Sequence, residues 1–173
     1  LPMSADGLLS RRTFVLGLSG LGFGVARARA QGFAGLGDEA TGFAQVTPGR
    51  KFGFPDDFGA HPEFRIEWWY VTANLRDDSG AAYGVQWTLF RSALAPEDTP
   101  GWQSPQLWMG HAALTSAGKH RSAERLSSGG IGQAGVTVTP FAASIDDWRS
   151  TSRAAPGEDP ASAVDLAASG DDF

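Results

Sequence analysis

The sequence predicts an all-β domain of short antiparallel strands, arranged as a barrel or a sandwich. Three observations support this prediction. Six Trp and eleven Phe residues make up a heavy aromatic load, and aromatic side chains are enriched in strands. Twenty-three Gly and ten Pro residues mark many turns, because these residues adopt the backbone angles that chain reversals require. After the first 30 residues no segment shows a sustained helical period, whereas several short segments alternate between apolar and polar residues.

The first 30 residues have the pattern of an export signal. Two consecutive Arg residues and an apolar stretch occupy Ser10–Leu16, which is typical of a twin-arginine signal. An uncharged, Gly-rich run continues to Ala26, and Ala28-Arg29-Ala30 places small residues at the cleavage spacing. The run is shorter than the roughly 20 apolar residues of a membrane-spanning helix; the alternative is a buried Gly-rich helix. We therefore expect a periplasmic or secreted protein whose domain covers residues 31–173.

Charge and cysteine content limit the classes of partner and chemistry. The first 30 residues hold four Arg and one Asp, so their removal changes the formal net charge from −5 to about −8. An acidic surface disfavours nucleic acid and anionic membranes as partners. The chain has no cysteine, which excludes disulfides and thiolate chemistry. The three His residues are far apart and lack metal-ligand spacing, so we predict no metal and no other cofactor.

The first half of the domain is predicted to contain three strands. Residues 31–60 are Gly-rich and irregular, and we expect them to wrap the domain as an N-terminal segment. Phe64–Leu75 and Ala82–Arg91 are separated by a loop rich in Asp and Gly, which predicts a long antiparallel hairpin. A Pro-rich loop over residues 95–101 precedes the third strand, Leu107–Thr115.

The second half is predicted to be less regular. The stretch Ser116–Gly135 is polar and interrupted by Gly, and we expect a short helix around Ala123–Leu126. Further strands are expected at Val136–Pro140, at Ala143–Arg149 and near Val164–Ala168. No closing element follows the last of them, so we expect this chain to be a fragment of a longer protein.

Several short motifs carry a resemblance to a known family. They are Phe54-Pro55-Asp56-Asp57, His61-Pro62-Glu63-Phe64, Glu67-Trp68-Trp69-Tyr70, Gln86, Phe90-Arg91 and Gly110-His111-Ala112-Ala113-Leu114. Over about residues 46–173 the chain resembles the secreted lipocalin-like proteins related to carotenoid 1,2-hydratase. These proteins are also called hydroxyneurosporene synthase-like or AttH-like. One departure follows Glu124-Arg125, where Leu126 stands in place of the expected Arg or aromatic residue.

The resemblance implies a fold and an activity. The fold is a lipocalin-like antiparallel β-barrel, the first of a tandem pair, here truncated and lacking its C-terminal second barrel. The implied activity is that of a hydratase-like hydro-lyase, which would carry out acid-catalysed hydration or isomerisation of a lipophilic, polyene-like substrate. The alternative is a non-catalytic carrier or accessory protein that binds a lipophilic small molecule in the envelope and serves an ABC exporter. A shared fold does not imply a shared reaction, so both functions stay open.

Glu67 is the first candidate for a catalytic residue. On a strand it shares a face with Trp69 and points away from Tyr70. A carboxyl beside an indole in an apolar cavity has its charged form disfavoured, and it could donate the proton that alkene hydration needs. The π face of Trp69 or of Tyr70 could stabilise the resulting cation, but both rings could do so only if the strand is bulged, because they point to opposite faces. The alternative is a structural carboxylate paired with Arg65 or Arg91.

His111, within the third strand, is the second candidate, as a proton shuttle; the alternative is a hydrogen-bonded core histidine. His61 is expected at the barrel mouth or as a turn cap. Trp102 lies in the Pro-rich loop, where a lipocalin has its lid. Arg91 is expected to pair with Glu67 or with an acidic loop, or to contact the ligand. The resemblance adds Gln86 and Phe90, both in the second strand. The complete set of predicted ligand contacts is His61, Trp69, Tyr70, Gln86, Phe90, Arg91 and Trp102.

Overall fold

The computed structural model describes residues 41–173. They form two four-stranded antiparallel sheets in which each strand pairs with the next one along the chain. Sheet 1 contains β1 (Ile66–Arg76), β2 (Ala82–Ala93), β3 (Gln106–Ser116) and β4 (Lys119–Ser128). Sheet 2 contains β5 (Ala134–Val138), β6 (Phe141–Ile145), β7 (Trp148–Ser152) and β8 (Val164–Ala167). The predicted export signal and its cleavage site lie outside the described residues.

The prediction of an all-β fold is confirmed, and the long hairpin is confirmed with it. In that hairpin Glu67 is opposite Arg91 and Trp69 is opposite Leu89. The strands predicted at Leu107–Thr115, Val136–Pro140 and Val164–Ala168 correspond to β3, β5 and β8, with shifts of one or two residues at the ends. Within residues 41–173 no helix has the length and apolar character needed to cross a membrane.

The closed barrel is not observed in the described part of the chain. The two sheets share no hydrogen-bonded pair of strands, so residues 41–173 form a sandwich. The sheets meet face to face, with β6 packed across β2, β3 and β4. The physical basis is a shared aromatic core, in which Trp87, Leu89 and Trp108 of sheet 1 meet Ile145 and Trp148 of sheet 2.

The helix predicted around Ala123–Leu126 is wrong, because these residues lie within strand β4. Backbone pairing with β3 places Arg125 opposite Gly110 and Ala123 opposite Ala112. The inward-facing positions of β4 include arginines instead of apolar residues, which concealed the alternation expected of a strand. The Arg125 guanidinium lies 4.8 Å above the centre of the Trp148 ring, so a cation–π contact replaces the usual apolar packing.

The single strand predicted at Ala143–Arg149 is also wrong. A tight turn at Asp146 and Asp147 divides it, so Ile145 at the end of β6 pairs with Trp148 at the start of β7. Asp146 has a φ of 51°, and Asp is one of the few residues other than Gly that tolerate this left-handed conformation. The reversal allows both Ile145 and Trp148 to point into the core.

The segment of residues 50–64, called the arm below, precedes β1 and lies along the sandwich. It contains a 3₁₀ turn at Asp56–Phe58. The ring of Phe58 packs against Phe141 with centroids 5.7 Å apart. The indole Nε1 of Trp69 donates a hydrogen bond of 2.9 Å to the carbonyl oxygen of Phe58. The arm therefore contacts both sheets.

Candidate functional site

The predicted site residues lie in three different places. Glu67, Trp69 and Arg91 lie on the face of sheet 1 that packs against sheet 2, with His61 of the arm beside them. The next residues along each strand point the other way, to a face that we call the open face. It carries Tyr70, Gln86, Phe90 and His111. Trp102 lies apart from both groups, in a 3₁₀ turn of the β2–β3 loop, with 85% of its surface exposed.

Glu67 lies in a network of ions and hydrogen bonds. Its Oε2 accepts hydrogen bonds from the backbone N–H of His61 at 2.9 Å and from Arg91 Nε at 3.2 Å. Its Oε1 lies 2.5 Å from Nδ1 of the His61 ring. The predicted alternative of a carboxylate paired with Arg91 is therefore confirmed, whereas the predicted apolar surroundings of Glu67 are not found.

Arg91 connects three segments of the chain. Its side chain is only 1% exposed, and a buried guanidinium requires several hydrogen-bond partners. Nη1 donates to Gln106 Oε1 at 2.7 Å, and Nη2 donates to the carbonyl oxygens of His61 and Phe64 at 2.7 and 2.8 Å. Arg91 thus fixes the end of the arm to strands β1 and β3. Its position in the core does not favour the predicted ligand contact.

His61 lies between two carboxylates. Its Nε2 is 3.1 Å from Asp57 Oδ1, while its Nδ1 faces Glu67. Partial burial lowers the pKa of His61. The hydrogen bond and negative charge of Glu67, the hydrogen bond to Asp57 and the charge of Glu63 outweigh this effect, so that the pKa lies above its ordinary value of 6.5.

Asp57 completes the network at the arm. Its carboxylate accepts a very short hydrogen bond from the backbone N–H of Gly53, and Arg50 Nη2 lies 2.6 Å from its Oδ1. The Gly53 bond is the largest cause that lowers the pKa of Asp57 below 3.8; Arg50 and His61 add to it, and desolvation opposes it. When His61 is protonated, the ionic cluster of Arg50, Asp57, His61, Glu67 and Arg91 therefore alternates in sign.

Trp69 belongs to the core. Its ring stacks on Trp108 with centroids 5.7 Å apart and an interplanar angle of 22°. With Nε1 bonded to the Phe58 carbonyl, both the ring and its polar atom have partners. The prediction that Trp69 and Tyr70 point in opposite directions is consistent with this placement, because Tyr70 is 64% exposed.

The open face has an apolar row that crosses all four strands of sheet 1. The strand register places Trp68 beside Phe90, Phe90 beside Met109, and Met109 beside Leu126. Trp68 and Leu126 are 54% and 67% exposed, and the rings of Trp68 and Phe90 are 6.5 Å apart. Large apolar side chains that cluster on a surface are typical of a binding site.

A polar row runs parallel to the apolar row, two residues away from it on each strand. It consists of Tyr70, Thr88, His111 and Glu124. Nδ1 of His111 lies 3.5 Å from Gln86 Nε2, the limit for a hydrogen bond, and the imidazole is half-buried. The open face thus combines an apolar strip with a hydroxyl, an imidazole and a carboxylate beside it.

Sequence reasoning missed several residues of both groups. On the open face it missed Trp68, Met109, Leu126 and Glu124 as contacts. The hairpin register would have placed Trp68 beside Phe90, but Leu126 and Glu124 were hidden by the helix wrongly assigned to β4. In the ionic cluster it missed Asp57, although this residue belongs to the motif Phe54-Pro55-Asp56-Asp57.

The described residues also form a groove away from the predicted site, and they lack a cluster that could hold a metal ion. An open, largely apolar groove of about 690 Å³ lies between the arm and sheet 2, lined among others by Phe54, Phe58, Val138, Phe141 and Pro156. None of the predicted site residues lines it. Among residues 41–173 no three His, Asp or Glu side chains are grouped closely enough to hold a metal ion.

Comparison with known proteins agrees with the motifs. Residues 45–173 match the family described as AttH-like. The crystal structure of a Nitrosomonas europaea protein described as an AttH candidate matches with 35% sequence identity and a TM-score of 0.50. This match covers 64% of the present chain and 33% of the other, so the chain spans about a third of that protein's length. No curated protein matches the chain. Because the family match covers most of its length, the chain belongs to the AttH-like family.

Proposed function

We propose that the protein binds a lipophilic, polyene-like small molecule against the open face of sheet 1. The observation that carries this proposal is the apolar row Trp68, Phe90, Met109 and Leu126, which crosses the whole sheet. An elongated apolar ligand would lie along this row and bury the exposed rings, and burial of one large side chain contributes about 1.5–3 kcal/mol. The Tyr70 hydroxyl and the Gln86 amide would orient a polar end group.

A second function is favoured by the position of His111. It lies in the polar row, directly beside the apolar row and across the strand pair from Glu124. In an acid-catalysed hydration the imidazolium would give its proton to the terminal alkene carbon, and the cation would form on the adjacent carbon. Water would attack that carbon and return a proton to the imidazole, so that the net change is the addition of one water molecule.

Glu67 fits the role of proton donor less well than His111 does. Its carboxylate is bound by Arg91 and His61, and it lies on the face that packs against sheet 2. The geometry therefore supports ligand binding most directly, and it supports hydration only through His111.

Binding can be tested with the full chain and a fluorescent polyene fatty acid as the probe. The double variant Trp68→Ser with Leu126→Ser removes both exposed ends of the apolar row, and we expect its Kd to rise at least about tenfold. Leu75→Ser is the matched control, because Leu75 is exposed but follows the inward-facing register of β1. Equal Kd values for the wild type and the double variant would contradict the proposal.

Catalysis is tested by analysing the polyene after long incubation with pure protein. Mass spectrometry would detect the gain of one water molecule. If His111 transfers the proton, His111→Gln abolishes this gain while the Kd of the polyene changes little. Recovery of unaltered polyene from both proteins would support the carrier and would exclude hydration of that compound.

The remaining expectations about the whole protein belong to the same proposal. We propose that a second lipocalin-like barrel of the whole protein covers the open face and encloses the ligand there, and that the twin-arginine segment exports the folded protein. An ABC exporter would then be a partner of the carrier. Substitution of Arg11 and Arg12 by Lys should leave the protein in the cytoplasm, which cell fractionation would show. Export of the doubly substituted chain at the normal level would contradict this part of the proposal.

A further inference from the structure

We propose that His61 is a protonation-dependent clasp that holds the arm, and with it one wall of the apolar groove, against sheet 1. The arm contributes Phe54 and Phe58 to the groove, opposite Val138 and Phe141. Asp57 lies next to Phe58, and its carboxylate reaches β1 only through the His61 ring. The protonation state of one imidazole therefore bears on the position of an aromatic wall.

The geometry requires a doubly protonated ring. Nδ1 faces Glu67 Oε1 at 2.5 Å and Nε2 faces Asp57 Oδ1 at 3.1 Å. An ionised carboxylate only accepts hydrogen bonds, so both ring nitrogens of His61 must donate. Only the imidazolium has two N–H groups. In the neutral ring, one nitrogen lone pair would point at a carboxylate oxygen, and that contact would turn repulsive.

The contact to Asp57 is the one that deprotonation breaks. Glu67 keeps two other donors, the His61 backbone N–H and Arg91 Nε, and its contact with the ring is the shorter one. The remaining ring proton therefore stays on the Glu67 side. Asp57 keeps Arg50 and Gly53 as partners, but both belong to the arm. The link between the 3₁₀ turn and sheet 1 is then lost at this point.

The charges around His61 come from three elements. The arm supplies Asp57 and Glu63, strand β1 supplies Glu67, and β2 supplies Arg91, whose Nη2 binds the His61 carbonyl. Arg50 influences His61 indirectly, through its ion pair with Asp57. The hydrogen bond from Trp69 to the Phe58 carbonyl does not depend on the imidazole. Deprotonation should therefore loosen the 3₁₀ turn locally and leave the sandwich folded.

Amide hydrogen exchange in the full chain tests the clasp. The N–H groups of Asp57, Phe58 and Gly59 are bonded within the arm, to the carbonyls of Gly53, Pro55 and Asp56. Their protection factors, corrected for the pH dependence of the intrinsic exchange rate, should fall as pH rises through the His61 titration. The expected fall is about fivefold, which is the equilibrium factor that one net hydrogen bond contributes. The titration itself is followed by NMR of the ring. Amides in the middle of strands β2 and β6 should show no such step, meaning no fall in protection over this pH range.

Three variants make the test decisive. His61→Gln should give low protection of the arm at every pH, without the step. Asp57→Asn removes a negative charge and offers Nε2 an amide that can either accept or donate, so the ring titration should move to lower pH and the step in protection should be lost. His120→Gln, at an exposed position in β4, is the matched control and should keep the step. A step that persists in His61→Gln, or no step in the wild type, would overturn the proposal. If His61→Gln fails to fold, the wild type and Asp57→Asn decide alone.

Discussion

Arg91 shows how one buried cation can organise a segment of irregular chain. The arm has few backbone bonds to sheet 1, and two of its carbonyl oxygens, on His61 and Phe64, are bound by this single guanidinium. The fork geometry of Arg allows these bonds while Nε binds Glu67, which a point charge such as the Lys ammonium cannot reproduce. The residue is therefore better explained by its structural role than by ligand contact.

Replacement of Arg91 by Met should destabilise the protein strongly. The apolar volume is nearly kept, but Gln106 and two carbonyl oxygens lose the guanidinium as their donor, and Glu67 loses one of its donors and its Arg partner. Removal of one partner from a buried ion pair costs about 3–5 kcal/mol, and we expect the lower end because Glu67 is only partly buried. Urea unfolding followed by tryptophan fluorescence would measure the change.

The matched control for that prediction is Arg153→Met. Arg153 forms an exposed ion pair with Asp165 at 3.4 Å, and such pairs contribute about 1 kcal/mol or less. Similar losses for Arg91→Met and Arg153→Met would show that the guanidinium of Arg91 is not an organising group. Arg91→Lys, which keeps the charge, should recover only part of the stability.

At the scale of elements, the two sheets approach closely at Gly110, where β3 lies against Ile145 of β6 and Trp148 of β7. Gly110 in β3 has no side chain, and a Cβ atom there would lie 2.7 Å from Ile145 Cγ2 and 3.1 Å from Trp148 Cε3. Its φ is not in the left-handed region, so the requirement for Gly is the space between the sheets. This explains a Gly inside an otherwise apolar strand.

Gly110→Ala should therefore separate the sheets locally and cost about 1–3 kcal/mol by overpacking. Gly135→Ala in β5 is the matched control, because nothing lies within 4 Å of a Cβ placed there. We expect that control to change stability by about 0.5 kcal/mol or less. Thermal unfolding of both variants would compare them, and equal melting temperatures would contradict the packing argument.

The sequence predicted those elements whose side chains alternate clearly. The β1–β2 hairpin has an Asp/Gly loop and aromatic residues on both faces, so the hairpin was predicted, and Arg91 was one of the two partners, with Arg65, expected for Glu67. Strand β4 could not be predicted from the sequence, because Arg125 covers Trp148 where an apolar residue would be expected. Without β4 the apolar row could not be completed, because Leu126 forms its far end. Of the open face, the sequence analysis thus named Tyr70, Gln86, Phe90 and His111, but it missed Trp68 in β1, Met109 in β3 and every position in β4.

The ionic cluster was hidden for a different reason. Asp57, His61 and Glu67 are four and six residues apart along the chain, and only the turn of the arm brings both carboxylates to one imidazole. Sequence spacing indicates neighbours within a helix or a strand, but it says little about an irregular segment. The same motif residues that indicated the family therefore suggested chemistry at Glu67, where the structure places ion pairs.

For the molecule as a whole, the cluster and one turn determine how stability depends on pH. The Asp77 carboxylate accepts bonds from the Ser79 side chain, the Ala81 N–H, the Tyr83 hydroxyl and the Ser79 N–H, of which the first is the largest cause that lowers its pKa below 3.8. The pKa of Asp57 is lowered below 3.8 as well. Groups of this kind stabilise the folded state above their unfolded pKa, and this stabilisation is lost as pH falls through the folded pKa.

His61 acts in the opposite direction. Because its pKa is raised above 6.5 in the folded protein, its contribution is fully present below 6.5 and is lost as pH rises through the folded value. Stability should therefore be greatest between 3.8 and 6.5 and decline on both sides. Urea midpoints measured across this range and beyond it would test the profile. His61→Gln should remove the alkaline decline and Asp77→Asn should reduce the acid one, while an alkaline decline of full size in His61→Gln would assign it to another group.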